Sequence, residues 1–264
     1  MRNFVPVMKM QLIDTHCHLY VKTFRSDIAQ VIERAEDEGI FRFYLPAIDS
    51  EEIPAMLELE SKYPGKCKAM MGLHPCSVKD NYREELAIVA DWLGKRAFAA
   101  VGEIGLDYYW DKTHVDQQKQ AFHEQIGWAL QYKLPIVIHS RESMDDCISI
   151  VQEHQRGDLG GIFHCFTGDL ASARKIIDTG FYLGIGGVLT YKNSGLAEVL
   201  NDISLEHIIL ETDAPYLTPV PFRGKRNESS YIKYVAEKLA EVKGVSKEEV
   251  AEITTANALK IFGD

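Results

Sequence analysis

Two histidines stand at i and i+2 in Leu12-Ile13-Asp14-Thr15-His16-Cys17-His18, directly after a short apolar run. Side chains alternate on an extended strand, so both imidazoles face the same way and can hold one metal ion. Four further metal-ligating side chains close short apolar runs in the same manner. They are Glu103 in Val101-Gly102-Glu103-Ile104-Gly105, His139 in Ile136-Val137-Ile138-His139, His164 in Ile162-Phe163-His164, and Asp213 in Ile209-Leu210-Glu211-Thr212-Asp213. Taken singly, a histidine here reads as a hydrogen-bonded structural residue and a carboxylate as a helix cap. Together, four imidazoles and two carboxylates at matching positions suit two divalent ions with Glu103 able to bridge them. The chemistry such a centre supports is hydrolysis by an activated water.

A fold must bring these run ends together. The strands expected are Gln11–Asp14, Phe41–Ala47, Cys67–His74, Ala99–Gly105, Pro135–Ser140, Gly160–Phe166, Phe181–Gly187 and His207–Asp213. Between them lie stretches with helical apolar spacing, among them 26–38, 84–93, 114–132 and 170–178. A last helix is expected to start at Ser246, with Glu249 completing a capping box, and to run toward Phe262. Strands such as Ile136-Val137-Ile138 are continuous apolar runs, as in a parallel sheet covered by helices. Eight βα units in 264 residues predict an α/β fold, a (β/α)8 TIM barrel. The domain is expected to be single, spanning residues 1–264, with residues 1–10 as an N-terminal extension. A doubly wound open sheet is the competing arrangement. In the barrel, all eight strand ends meet at one mouth, and the eighth strand closes beside the first.

At this point the chain resembles the TatD family of metal-dependent deoxyribonucleases, within the amidohydrolase superfamily. The matching segments are LIDTHCHL (12–19), GLHP (72–75), VGEIGLDY (101–108), PIVIHSR (135–141), GIFHCFTG (161–168), LETDAP (210–215) and RGKRN (223–227). The resemblance implies His16, His18 and Asp213 on one ion, His139 and His164 on the other, and Glu103 shared. It also implies two divalent cofactor ions (Mg²⁺, Mn²⁺ or Zn²⁺) and 3′→5′ exonuclease action on DNA, with RNA an open alternative. One departure is Tyr20, where the family often carries Asp or Asn.

Other residues are candidates for substrate contact. His74 either lines the site or fixes the loop before Pro75. Arg141 lies two residues after His139, and either forks onto a phosphate oxygen or pairs with Glu142 or Asp145. Arg223, Lys225 and Arg226 form a dense basic cluster after the eighth strand, where barrels often bind phosphate. Asp213 is the candidate proton acceptor, and Asp107 and Tyr108 are supporting or substrate groups. Cys17 and Cys165 are expected to point away from the metals and pack as small hydrophobes.

Composition narrows the alternatives. Lys and Arg number 29 against 39 Asp and Glu, a net charge of −10, which disfavours coating nucleic acid by bulk charge. The five scattered cysteines include no Cys-x-x-Cys pair, which fits a reducing, cytoplasmic setting. No apolar run is long enough to cross a membrane, and no obligate protein partner is implied. The same metal chemistry would also serve a carboxylic ester, lactone, amide or aminoacyl ester, while a non-catalytic binding module would leave the intact ligand set unexplained.

Overall fold

The computed structural model describes residues 10–263; the extension expected at 1–10 lies outside them except for Met10. Eight strands appear among these residues, each followed by helix: β1 (Leu12–Asp14), α1 (Ile28–Asp37), β2 (Ile40–Leu45), α2 (Ile53–Lys62), β3 (Cys67–Ala69), α3 (Tyr82–Lys95), β4 (Val101–Asp107), α4 (Val115–Tyr132), β5 (Ile136–Arg141), α5 (Met144–His154), β6 (Gly161–Phe163), α6 (Leu170–Asp178), β7 (Tyr182–Ile185), α7 (Leu196–Asn201), β8 (Ile208–Leu210), α8 (Ile232–Lys243) and α9 (Lys247–Phe262). All strand pairings are parallel, in two arcs, β1-β2-β3 and β4-β5-β6-β7-β8. Parallel bridges Met71–Val101 and Cys17–Ala214 join the arcs on either side. The Thr15 N–H donates to Leu210 O at 3.2 Å on the second seam. The fold is the (β/α)8 barrel.

Strand alternation divides the apolar residues into two sets. Leu12, Ile136, Ile138, Phe163, Ile208 and Leu210 pack in the large cluster against the helices. Ile13, Tyr44, Met70, Ala100, Val137, Ile162 and Ile209 form a second cluster with Ala258 of α9. This set fills the barrel interior, and α9 plugs its lower end, where Phe262 stacks on Tyr44 at 3.8 Å. Continuing the period of two past Val137 and Ile162 puts His139 and His164 on the same inner face, one step nearer the mouth. The core and the site therefore share one face of the sheet.

Several strands are shorter than expected at their C-terminal ends. Cys165 (φ 48°) and Asp213 (φ 55°) turn into the left-handed region, which breaks the pleat after β6 and β8. After β3 the chain keeps only the Met71 bridge, and Pro75, lacking an N–H, opens a short 3-10 turn. The final helix starts as expected, with Ser246 Oγ accepting the Glu249 N–H at 3.1 Å.

Candidate metal centre

Glu103 lies at the middle of the barrel mouth, 2% exposed. Its two oxygens face different imidazoles. Oε2 is 3.0 Å from His16 Nε2 and 3.5 Å from His18 Nε2. Oε1 is 2.8 Å from His139 Nδ1, 2.8 Å from His164 Nε2 and 3.2 Å from His74 Nε2. Asp213 Oδ1 closes the first group, 3.7 Å from His16 Nε2 and 3.6 Å from His18 Nε2. His16 and His18 lie past the end of β1 rather than on it, yet their Nε2 atoms converge. His16 stacks on His164 at 3.8 Å with nearly parallel rings, so the two groups abut.

The β1–β8 seam sets this spacing. Buried Asp14 accepts Thr212 N–H at 2.9 Å, Thr212 Oγ1–H at 2.6 Å and Ser229 Oγ–H at 2.6 Å. The Asp213 N–H then donates to His16 O at 2.9 Å. Asn227 Nδ2 holds the far side of the turn through Thr212 O and Tyr216 O, at 2.8 and 2.6 Å. The turn is pinned from both sides, which keeps Asp213 in its left-handed conformation.

Outside His16, each second ring nitrogen has its own neighbour. Tyr20 OH donates to Pro46 O at 2.5 Å and lies 3.0 Å from His18 Nδ1. The single phenol hydrogen is spent on Pro46, so His18 Nδ1 must donate and its Nε2 presents a lone pair to Glu103 and Asp213. The tyrosine that departs from the family pattern thus fixes the tautomer. His139 Nε2 is 2.9 Å from Asp107 Oδ2. His164 Nδ1 is 3.5 Å from Glu211 Oε1, which also accepts the Cys165 N–H at 2.5 Å. A Cβ at Gly184 would come within 2.4 Å of Glu211 Oε2, so only glycine leaves room for this carboxylate. His74 fills both roles considered for it: Nδ1 accepts the Cys76 N–H at 3.0 Å, and Nε2 faces Glu103.

Charge is finely divided here. Burial opposes ionisation of Glu103, but His164, His74 and His16 outweigh it and hold the carboxyl well below its usual range. Burial also opposes charging His164, yet Glu103 raises it well above normal. His16 is pushed far down, by burial and by the His164 charge. Burial raises Asp213 to about 7 against the opposing pull of His164 and His18.

A bound cation fits these residues. Nε2 of wholly buried His16, which faces the centre, has no hydrogen-bond partner. His16 Nε2 is near Glu103 Oε2 but lacks hydrogen-bond geometry, so its lone pair is unspent. Buried polar atoms are rarely left so, and the ligand atoms fall into compact groups, His16–His18–Asp213 and His16–Glu103–His164; in a third, His74–Glu103–His139, His74 Nε2 carries the proton and is a donor. The chain matches the family described as TatD related DNase over residues 13–263. It belongs to the TatD family. It is 42% identical to an uncharacterized metal-dependent hydrolase of Bacillus subtilis, YabD, covering 95% of this chain and 98% of that one. It is 36% identical to YcfH of Escherichia coli, also described as an uncharacterized metal-dependent hydrolase, over 96% of each chain. The crystal structure of YjjV, a TatD homolog from Escherichia coli, superposes with a TM-score of 0.92 at 30% identity over 97% of this chain and all of that one. The TatD chain described here is accordingly a metal-dependent hydrolase.

The expected substrate residues part company. Arg141 is exposed at the end of β5 and stacks on Tyr109; Glu142 pairs instead with Lys112 and Asp145 with Lys175. Arg223 and Lys225 are exposed, the first lying 3.7 Å over the Tyr191 ring. Arg226 is different, for its guanidinium grips Asp27 at 2.9 and 2.5 Å and Thr23 O at 2.7 Å. It ties the loop to the start of α1, so of the three residues expected to contact substrate Arg223 and Lys225 have no ion-pair partner among the described residues, while Arg226 is paired with Asp27. Cys17 packs as expected, wholly buried with Sγ toward Tyr44 O. Cys165 does not: it is only partly covered, and burial together with the Asp213 and Glu211 charges raises its thiol well above normal. Glu211 and Tyr20 are the supporting residues that sequence reasoning did not assign. The signal for Glu211 was a carboxylate ending the apolar run Ile208-Ile209-Leu210.

Proposed function

We propose that this TatD protein cleaves phosphodiester bonds of DNA from the 3′ end, with two divalent ions as cofactors. The observation that carries the reading is the division of Glu103, whose two oxygens each address a separate imidazole group. His16, His18 and Asp213 would hold one ion, His139 and His164 the other, and Glu103 both. When bound, such ions (Mg²⁺, Mn²⁺ or Zn²⁺) supply Lewis-acid polarisation and lower the pKa of a water. Four imidazoles favour Mn²⁺ or Zn²⁺ by ligand type.

The side chains supply the rest. Asp213 is partly exposed at the mouth and takes the proton from the attacking water; burial, joined by the Glu103 and Glu211 charges, favours its protonation. The water oxygen bonds to phosphorus, the P–O3′ bond breaks, and the leaving 3′ oxygen is protonated from solvent. His74, its proton on Nε2, presents a donor beside Glu103. Arg223 and Lys225 meet backbone phosphates, contacts that carry no sequence preference. All these groups sit on one barrel, and we take it as a single catalytic domain. Five free cysteines agree with the cytoplasm as its setting. Among the described residues, no helix is long and apolar enough to cross a membrane.

The test is digestion of 5′-labelled single-stranded DNA and RNA with each metal, beside a panel of simple esters. A ladder shortening from the 3′ end of the DNA is the expected result. Hydrolysis of esters with both nucleic acids intact would assign the site to a non-nucleic-acid substrate.

A further inference from the structure

Two aromatic rings beyond β4 play no part in the centre described above. Tyr109 is 50% exposed and its neighbour Trp110 68%. Scattered apolar side chains on a surface are ordinary, but these two touch, edge to face with centroids 5.0 Å apart. Arg141 completes the group, its guanidinium 3.9 Å from the Tyr109 centroid and 5.2 Å from that of Trp110. Among the described residues Arg141 has no ion-pair partner, so its charge stays available at the surface.

The rings are held in place through the metal centre itself. Asp107 Oδ1 accepts the N–H groups of both Tyr109 and Trp110 at 2.9 Å, while its Oδ2 meets His139 Nε2 at 2.9 Å. One carboxylate thus links the aromatic pair to a histidine facing Glu103. Beside them opens a cleft of about 550 Å³, lined by Ser140, Arg141, Ser143 and Thr167, with the carboxylates Glu142, Asp145 and Asp146 along the same wall. Flat aromatic faces, a planar cation and the Asp107 link to His139 match a nucleobase beside a phosphodiester site. The −10 charge of the chain sharpens the point. Arg141, Arg223 and Lys225 alone hold a polyanion weakly, so stacking must supply part of the grip.

We propose that Tyr109, Trp110 and Arg141 form a stacking platform for the base of a nucleotide flanking the scissile phosphate. This rests on the phosphodiesterase reading. Every base offers a π face, so the platform grips single strands with little sequence preference. Trp110, the more exposed ring, carries the contact, and Arg141 adds a cation over the stack.

The experiment measures Kd by fluorescence anisotropy for a labelled single-stranded oligonucleotide and for one with abasic residues at its three terminal 3′ positions, together with hydrolysis of both. Wild type, Trp110→Ala and Trp110→Phe are compared at equal metal content. Because Trp110 is exposed, neither substitution threatens folding. Trp110→Ala should weaken binding of the normal strand about 10-fold, the worth of one stacked base, and Trp110→Phe should stay within about 3-fold of wild type. The abasic strand should bind wild type and Trp110→Ala alike. An unchanged Kd in Trp110→Ala, or abasic and normal strands bound equally by wild type, overturns the platform. Normal-strand binding that depends on Trp110 without hydrolysis overturns the phosphodiesterase reading instead, and no binding at all overturns both.

Discussion

Arg226→Ala separates a structural cation from the two expected to meet DNA. The side chain makes two bonds to Asp27 and one to Thr23 O, and lies 4.6 Å from the Phe24 centroid. Charge-assisted hydrogen bonds are worth about 1.5–3 kcal/mol, whereas fully exposed ion pairs contribute about 0–1. With Arg226 30% and Asp27 33% exposed, the pair falls between these limits. Asp27 also keeps Arg34 at 4.0 Å after the substitution, which trims the loss. The expected cost is therefore about 1–2 kcal/mol. Unfolding entropy near 2.1 cal/mol/K per residue gives about 0.55 kcal/mol/K for a chain of this size, so Tm should drop by about 2–4 °C. A double-mutant cycle with Asp27→Ala should return most of that cost as coupling. Arg223→Ala with Lys225→Ala should leave Tm unchanged, raise KM for an oligonucleotide, and flatten the log–log salt slope by about 1.4, two lost single-strand contacts. The assays are thermal melts and KM at several salt concentrations. If Arg226→Ala leaves Tm intact while flattening the salt slope as the double variant should, Arg226 abandons Asp27 for substrate and the reasoning fails.

Other substitutions bear on the centre and on the acid limit. Asp213→Asn keeps shape but removes basicity, and should cost about 10²–10⁴-fold in turnover with the barrel folded; full activity at equal metal content would remove Asp213 as the base. Glu103→Ala should lower metal occupancy, read by elemental analysis, because both ligand groups lose a shared oxygen. Tyr20→Phe strips the acceptor from His18 Nδ1 and should weaken metal affinity about 10–100-fold; an unaltered affinity would mean the tautomer is fixed otherwise. The Arg226 bonds hold Asp27 below its usual carboxyl range, and Glu228 is likewise depressed, where Arg34 and Ser230 outweigh burial. A depressed folded-state pKa gives stability that is full at neutral pH and lost as pH falls below about 4. Melts from pH 7 to pH 3 should therefore show wild type losing more than Arg226→Ala, and parallel curves would argue against the linkage.

The order of strands and helices was legible because each apolar run carries its own period, two or 3.6, within a few residues of chain. The meeting of His16, His18, Glu103, His139, His164 and Asp213 at one mouth followed from their places at run ends, since a parallel barrel leaves run ends no other meeting point. The details that tune them lay beyond local pattern. Asp14 is a strand residue whose partners are Thr212 and Ser229, and nothing near residue 14 encodes them. Glu211 and Asp107 became partners of His164 and His139 only when the sheet brought β8 across β7 to β6 and set β4 against β5. Tyr20 read as a departure, and the structure turned it into the group that orients His18. The basic run at 223–226 shows the limit most plainly. Its charge was visible in the sequence, but Arg226 is claimed by Asp27, 199 residues away, while Arg223 and Lys225 stay free. Sequence determined which chemistry was available and roughly where along the chain. Tertiary structure decided which charges neutralise each other, because that depends on distances between segments that no local periodicity records.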